Sequence, residues 1–432
     1  MFSPVERTFV QVGATRDGLD PYLRCARKRG MTAVLVETAA YLKWRRMLGR
    51  QPFDVEIATD QPADAADVVA TLERHHITPS FMLTGFERYA GCGFAVARKF
   101  GVAPWPAVGY GFAPVDKYGQ RAALARNVPD LAQPGYARRS PYRLKDTALS
   151  TLRFPQVVKP TDGGGGLGVF YVEDEHERDV ALCRLRSTTN YDGGAFADVL
   201  VEEHVDGVEY SLQGIVYDGA PLLLSMCEKI TALEPVHGEP RLRGFREIGH
   251  IGLPGSSVPA RTRAFAAACV SAVGYREGPF HVDFIDDGER IVFIEMGFRL
   301  SGGGLVALVE RVTGVDWAEL VFATHLGERA PELPSPSSPS SAPSTVVGQV
   351  TLVDEQELAI ADTLRRQRSA VDVQRARLPV GEVSAEDGPR LVSDRSRHSG
   401  LGRVIAGGPL AQVRDDLRGC VAGRLGVRAC AG

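Results

Sequence analysis

Gly163 to Gly166, followed by Leu167 and Gly168, stand between two apolar runs, FPQVVK at 154–159 and VFYV at 169–172. This stretch constrains the fold more than any other. Consecutive glycines lose the most backbone entropy on ordering, so they make a poor helix or strand interior. Flanked by β-branched residues, they predict a strand–loop–strand unit. A loop without side chains can wrap an anion and present several N–H donors to phosphate oxygens. Gly163, Gly165 and Gly168 satisfy G-x-G-x-x-G in form, but that fingerprint should open a helix, and here a strand follows. No GK[ST] follows, which excludes Walker A. What remains is a flap over phosphates, with Lys159 at the end of its first strand placed to meet one. The competing readings are a bare hairpin tip and a solvated lysine.

A second constellation is FHVDFIDDGERIVFIEMGFR, residues 280–299, which reads as a β-hairpin. A three-residue loop of Asp286, Asp287 and Gly288 pairs Ile285 with Glu289 and sets Asp283 opposite Ile291. Strand alternation then gives Asp283 the same face as Ile291, Phe293 and Glu295. Two carboxylates on one largely apolar face repel unless a cation lies between them. Oxygen-only ligands favour Mg²⁺, which shares its sphere with phosphates and water. The alternative pairs one carboxylate with Arg299 and leaves the other solvated. His281 falls on the same face and reads as a hydrogen-bonded strand histidine, since no second histidine accompanies it as a metal ligand. A third element, VEEHVDGVEYS at 201–211, turns at Asp206 and Gly207. It places Glu202, Val205 and Glu209 at a ligand edge, where a carboxylate can accept from an amino group or sugar hydroxyls.

The rest of the chain supplies a frame. Thr8 to Gly13 and Ala33 to Val36 read as strands, with helices at Asp17 to Arg29 and Asp64 to His75, a β-α-β rhythm reaching about Val108. From Asp116 the pattern changes to a helix at Asp116 to Arg126 and then to successive strands. Residues 331–345, PELPSPSSPSSAPST, read as an extended linker, and beyond them lie a strand at Gly402 to Ala406 and a helix at Leu410 to Leu425. The formal net charge of -3 argues against broad capture of nucleic acid or anionic lipid. Glu6 and Arg7 interrupt any signal-peptide h-region, and no run approaches the roughly 18 apolar residues that span a bilayer. The 7 cysteines are scattered without a CxxC, which fits a reducing cytoplasm and excludes a disulfide framework or zinc site.

Taken in order, DK at 116–117 with its following helix, VVKPTDGGGGLGV, VEEHVDGVEYS, GPFHVDF and IEMGFRLSGGG resemble the ATP-grasp family. The resemblance covers residues 110 to 325. It implies an ATP-grasp fold, two α+β subdomains clamping ATP. A Rossmann-like α/β pre-ATP-grasp domain would precede it at 1–110, and a small C-terminal α+β domain would follow. The boundaries expected are 111–330 for the ATP-grasp domain, with a lid subdomain at 115–198, the linker at 331–345 and the last domain at 346–432.

For the site, the resemblance implies that Lys117 and Lys159 contact nucleotide phosphates or the adenine edge, and that Gly163, Gly164, Gly165, Gly166 and Gly168 close over the triphosphate. Glu202 and the backbone of Glu203 and Val205 would bind adenine, and Glu209 the ribose. Asp283 and Glu295 would hold one or two Mg²⁺ ions, with Arg299 and Lys229 as catalytic residues. Two positions depart from the pattern: Asp283, where glutamate is common, and Gly297, where many members carry a metal-binding asparagine. The form E-x-G-x-R, and Lys229 in CEKIT, are similar to the branch with amino-acid and dipeptide ligases. That branch implies ATP-dependent joining of a small-molecule carboxylate to an amine through an acyl phosphate, without nucleic acid or membrane, and leaves a homodimer open. Transfer to a thiol or carrier protein, a biotin-dependent carboxylase and a nucleotide-binding regulatory module without turnover are the alternatives. The chain shows no biotin-carrier lysine motif.

Overall fold

The computed structural model describes residues 7–15, 20–102, 116–142, 149, 151–189, 194–196, 198–328, 346–376 and 400–425. The linker reading at 331–345 and the stretch near Val108 lie outside them.

The N-terminal strands are β1 (Thr8–Val12), β2 (Thr32–Glu37), β3 (Val55–Ala58) and β4 (Phe81–Thr84), in a parallel sheet of order β3-β2-β1-β4. They alternate with α1 (Pro21–Lys28), α2 (Ala39–Met47), α3 (Ala65–Arg74) and α4 (Ala90–Phe100). The described part of the first predicted helix starts at Pro21, whose fixed φ suits a first helical position. Asp20, just before it, is buried against Arg45 at 2.7 Å.

The rest of the chain builds one sheet, twelve-stranded among the described residues. After α5 (Lys117–Asn127) come β5 (Tyr136–Arg139), β6 (Gln156–Pro160), β7 (Phe170–Val172), α6 (Glu175–Ser187) and β8 (Val199–Glu203). Then follow β9 (Val208–Tyr217), β10 (Ala220–Val236), β11 (Glu239–Pro254), α7 (Ala260–Val273), β12 (Gly278–Asp286) and β13 (Ile291–Gly297). Helices α8 (Leu305–Thr313) and α9 (Trp317–His325) lead to β14 (Val346–Leu352), α10 (Glu355–Gln367), β15 (Val371–Arg375) and β16 (Gly402–Gly408). The predicted last helix is two, α11 (Leu410–Cys420) and α12 (Ala422–Leu425), interrupted at Val421.

The main path runs β13-β12-β9-β10-β11-β7-β6-β8-β5, with β14 joining β11 and β16. Three packing relations position the site. The parallel sheet shares a core with α8 and α9: the Phe322 ring lies 5.1 Å from Phe9 and 4.8 Å from Phe81. Buried apolar side chains in that junction hold the N-terminal layer against the main sheet through area removed from water. The β6–β7 pair is antiparallel, so the glycine run is the loop of a hairpin, as its flanks predict. The C-terminal strands extend the main sheet, with His250 opposite Gln349, and their core includes Ile230, Ile248 and Ile251 of β10 and β11.

The β12–β13 hairpin differs from expectation. Asp286 pairs with Ile291, so the loop is longer than the three residues inferred. An irregularity follows: Phe284 faces Phe293, but Asp283 faces Glu295, leaving Ile294 as an extra residue. The bulge restores the parity the longer loop had reversed. Asp283 and Glu295 therefore share a face, while Ile291 and Phe293 belong to the opposite, core side with Phe284.

Candidate active site

A cavity of about 310 Å³ opens between the glycine hairpin, the β12–β13 face and the head of α8. Its walls include Lys117, Lys159, Gly163 to Gly166, Glu202, Glu203, Val205, Glu209, Lys229, Asp283, Glu295 and Arg299. Of the predicted residues, Gly168 is set differently. Its φ is +71°, and a Cβ there would lie 2.7 Å from Leu185, so it is glycine because α6 packs beneath the loop.

Lys117 is the first residue of α5, whose N-cap Asp116 accepts from the Tyr118 N–H. From there its Nζ donates to the Gly163 carbonyl at 2.6 Å and lies 3.0 Å from Glu295 Oε2. Lys159, on β6, reaches Glu202 Oε2 at 2.6 Å, and Arg121 donates to Glu202 Oε1 at 2.7 Å. Burial lowers Lys159 below the ordinary lysine range, against the opposing pull of Glu202. Burial alone would raise Glu202, but the Arg121 and Lys159 charges hold it below the usual carboxylate range. The Glu202 side chain thus orients Lys159. Glu203 pairs with Arg153 at 2.9 Å, and its N–H is bonded to the Gly135 carbonyl at 2.8 Å.

Lys229, on β10, stands 3.0 Å from Glu209, 3.0 Å from Glu247 and 2.5 Å from Asp283. Burial works against its charge, yet the three carboxylates raise it well above the usual lysine value. Ser211 donates to the other Asp283 oxygen at 2.6 Å. Burial also disfavours ionised Glu295, but Lys117, Lys159 and Lys229 bring it down to about 2. Neither hairpin carboxylate is paired with Arg299. Arg299 Nε lies 3.4 Å from Glu87 Oε2, and its Nη1 donates to the Leu300 carbonyl at 2.5 Å. Burial lifts Glu87 to about 7, against the Arg299 charge.

His281 lies opposite Gly297, on the Asp283 face as expected. It is not the hydrogen-bonded histidine expected: Nδ1 is buried without a partner among the described residues, and burial lowers the imidazole to about 4. Its ring covers Gly297, where a Cβ would fall 2.5 Å from Nε2 and 2.7 Å from Glu87 Oε2.

Among the described residues no three His, Cys, Asp or Glu side chains form a ready metal cage. The donor chemistry still suits Mg²⁺, which is held by one or two carboxylates with substrate phosphates and waters, and Asp283 and Glu295 offer oxygen alone. Several lining residues carry no local motif: Glu87, Arg88, His250, Gln349 and Arg403, besides Arg121 behind the wall. The basic side chains, the bare loop and the paired carboxylates have the chemistry that a polyphosphate with its cation requires.

Residues 152–306 match the ATP-grasp domain family. Biotin carboxylase of Pseudomonas aeruginosa is 28% identical over 43% of this chain, and the ATP-grasp enzyme fsqD of Aspergillus fumigatus is 25% identical over 65%. Those alignments span 40% and 49% of the two relatives, so the chain covers about half their length or less. The solved L-amino acid ligase of Bacillus licheniformis superposes with a TM-score of 0.66 at 17% identity, over 96% of this chain and 98% of that one. Residues 152–306 thus carry an ATP-grasp domain. Its fold is that of the ligase structures. No helix among the described residues is long and apolar enough to cross a membrane.

Proposed function

We propose that the chain is an ATP-dependent carboxylate–amine ligase acting on amino-acid-like substrates. The observation that carries this reading is the meeting, in one cavity, of Lys117, Lys159, Arg299 and the glycine loop with the Asp283–Glu295 pair. A substrate carboxylate attacks the γ-phosphorus of ATP, ADP leaves, and an acyl phosphate forms. The amine then attacks the acyl carbon, phosphate departs and an amide remains. No protein nucleophile is required. Lys117 and Lys159 neutralise phosphate charge from fixed positions, set by Gly163 and Glu202. Arg299 offers its fork to the phosphoryl group while Glu87 and the Leu300 carbonyl fix its orientation. Catalysis of this kind is positioning plus electrostatics. Asp283 and Glu295 would hold Mg²⁺, which when bound screens the phosphate charge from the attacking carboxylate. The glycine loop, closed over the phosphates, keeps water from the acyl phosphate.

The test is ADP release measured with amino acids singly and in pairs, with mass detection of the product. The expected outcome is turnover that needs two organic substrates and yields an amide. Full-rate hydrolysis of ATP without them would sink the ligase reading. Release driven by bicarbonate and biotin would favour the chemistry named by the carboxylase relative.

A further inference from the structure

Two side chains of opposite charge flank the glycine turn at the head of α8, and the mechanism above uses neither. Arg403, on β16, lays its guanidinium on Gly304: a Cβ built there would fall 2.6 Å from Cζ and closer still to Nη1. Gly304 is the N-cap of the nine-residue α8, with φ +79°. On the neighbouring glycine, a Cβ at Gly303 would meet Glu247 Oε1 and His250 Cε1, each at 3.3 Å. The C-terminal strands fix this corner. Arg403 pairs in register with Thr351, and the Gln349 amide donates to the Gly303 carbonyl at 3.0 Å. Arg403, Gln349, Glu247, His250 and Ser301 all line the cavity. Ser301 is only 4% exposed, and its Oγ has no hydrogen-bond partner among the described residues. A buried hydroxyl facing a cavity without a partner calls for a ligand atom.

We infer that this corner binds the carboxylate of the amine-bearing substrate, which is therefore an α-amino acid or a peptide whose carboxylate lies close to its amine. The inference rests on the ligase reading. Three kinds of donor for an anion line this part of the cavity: the Arg403 fork, the Ser301 hydroxyl and the positive end of α8. A guanidinium has five N–H donors, so a contact within the protein leaves others for a ligand. Glu247, beside Gly303, selects among anions. Its own charge disfavours a phosphate dianion at this spot, while its carboxylate can accept from the incoming amine. A positive and a negative group beside successive glycines match the two ends of a zwitterion. The acyl donor's carboxylate is not the occupant, because it must meet the phosphoryl group beside Arg299. The absence of side chains at Gly303 and Gly304 leaves both groups open to the cavity.

The test compares, for the acceptor found in the ADP-release screen, the amino acid with its carboxamide, in the wild type and in R403A, R403K and G304A. The wild type should prefer the amino acid by roughly 10- to 100-fold in kcat/KM, the range of a charge-assisted contact. R403A should raise KM for the acid to that of the amide and leave KM for ATP unchanged. R403K, which keeps the charge without the fork, should fall between. G304A moves the guanidinium aside and should resemble R403A. Thermal melting checks folding, and R403K keeps the test open if R403A does not fold. Equal use of acid and amide by the wild type would overturn the inference and leave the ligase reading standing, as would an acceptor without a carboxylate. ADP release that needs no amine at all would instead remove the ligase reading, and this inference with it.

Discussion

Lys229 Nζ stands 2.5 Å from Asp283 Oδ2 inside a cluster that also brings Glu209 and Glu247 to 3.0 Å. One ammonium serves three carboxylates, with the Lys229 side chain 7% exposed. Removing it leaves Asp283 and Glu209 without their cation, while Glu247 keeps His250 at 3.1 Å. Lys229→Met should therefore destabilise the protein by about 3–5 kcal/mol near neutral pH, the usual cost of breaking a buried ion pair from one side. The pH dependence has a definite sign. Burial already raises Glu209 above the ordinary glutamate value against the pull of Lys229; without that pull it rises further, so the folded variant binds more protons than the unfolded chain. Its stability then increases as the pH falls through the carboxylate range. Urea unfolding at pH 5 and pH 8 should show a smaller deficit at pH 5. An equal deficit at both would mean that the loss is one of packing.

Glu295→Gln keeps the shape of the side chain and removes its charge. The fold should survive, since the amide can still accept from Lys117, 3.0 Å away in the native protein. Turnover should fall by about two to three orders of magnitude, typical for loss of one charge-stabilising group. Arg299→Lys should also be costly, because a point charge does not reproduce a bidentate fork. Steady-state rates at saturating Mg²⁺, on protein with an unchanged melting curve, decide the matter. Near-normal turnover in Glu295→Gln would remove this hairpin from the metal site.

The glycine loop should order on the nucleotide. Gly165, Gly166 and Gly168 all have positive φ, and a Cβ at Gly164 would meet nothing within 4 Å; besides Lys117 on Gly163, the loop is held by the Arg88–Asp162 pair and by two backbone bonds, from the Leu167 N–H to Gly164 and from the Val169 N–H to Gly166. Amide hydrogen exchange around 162–168 should slow on adding MgATP. Unchanged exchange would mean that the loop does not touch the phosphates. Lys159→Ala should weaken nucleotide binding by roughly tenfold or more, as for a charged hydrogen bond, and it leaves Glu202 with Arg121 alone. Equilibrium titration with ATP gives the readout.

What the sequence made legible follows the range of the interactions. The glycine flap was readable because composition and flanking strands are local, and it lies between antiparallel β6 and β7 as inferred. The Asp283–Glu295 face was inferred through the wrong turn. A β-bulge at Ile294 corrects the register, and no glycine or proline marks it, so FIEM reads like any regular strand. Arg121, Glu87 and Arg403 could not be found that way. Each joins a site residue distant in sequence: Arg121 reaches Glu202, Glu87 reaches Arg299 and Arg403 reaches Gly304. Those meetings depend on how layers dock, and periodicity within one element carries no record of it. His281 shows the same limit. Parity gave its face, whereas its missing hydrogen bond depends on burial.

Gly297 tests that packing most directly. The His281 ring and the Glu87 carboxylate fill the space a side chain would need, at 2.5 Å from Nε2 and 2.7 Å from Oε2 of a built Cβ. Gly297→Asn, which installs the residue many relatives were expected to carry here, must push the ring aside. Both groups are held: His281 within the β12 ladder, and Glu87 by accepting the Phe298 N–H at 3.2 Å. Overpacking of this kind costs about 1–3 kcal/mol. His281→Ala alone should also destabilise, because it leaves a cavity. Combined, the two changes relieve one another: the asparagine enters the volume the imidazole vacates. The double variant should be more stable than the sum of the single losses predicts, by at least about 0.5 kcal/mol, as for residues sharing one space. Unfolding free energies of the four proteins in the cycle measure it. Strict additivity would show that the His281 ring swings clear of Gly297 without strain, and that glycine at this position is not there to accommodate the histidine.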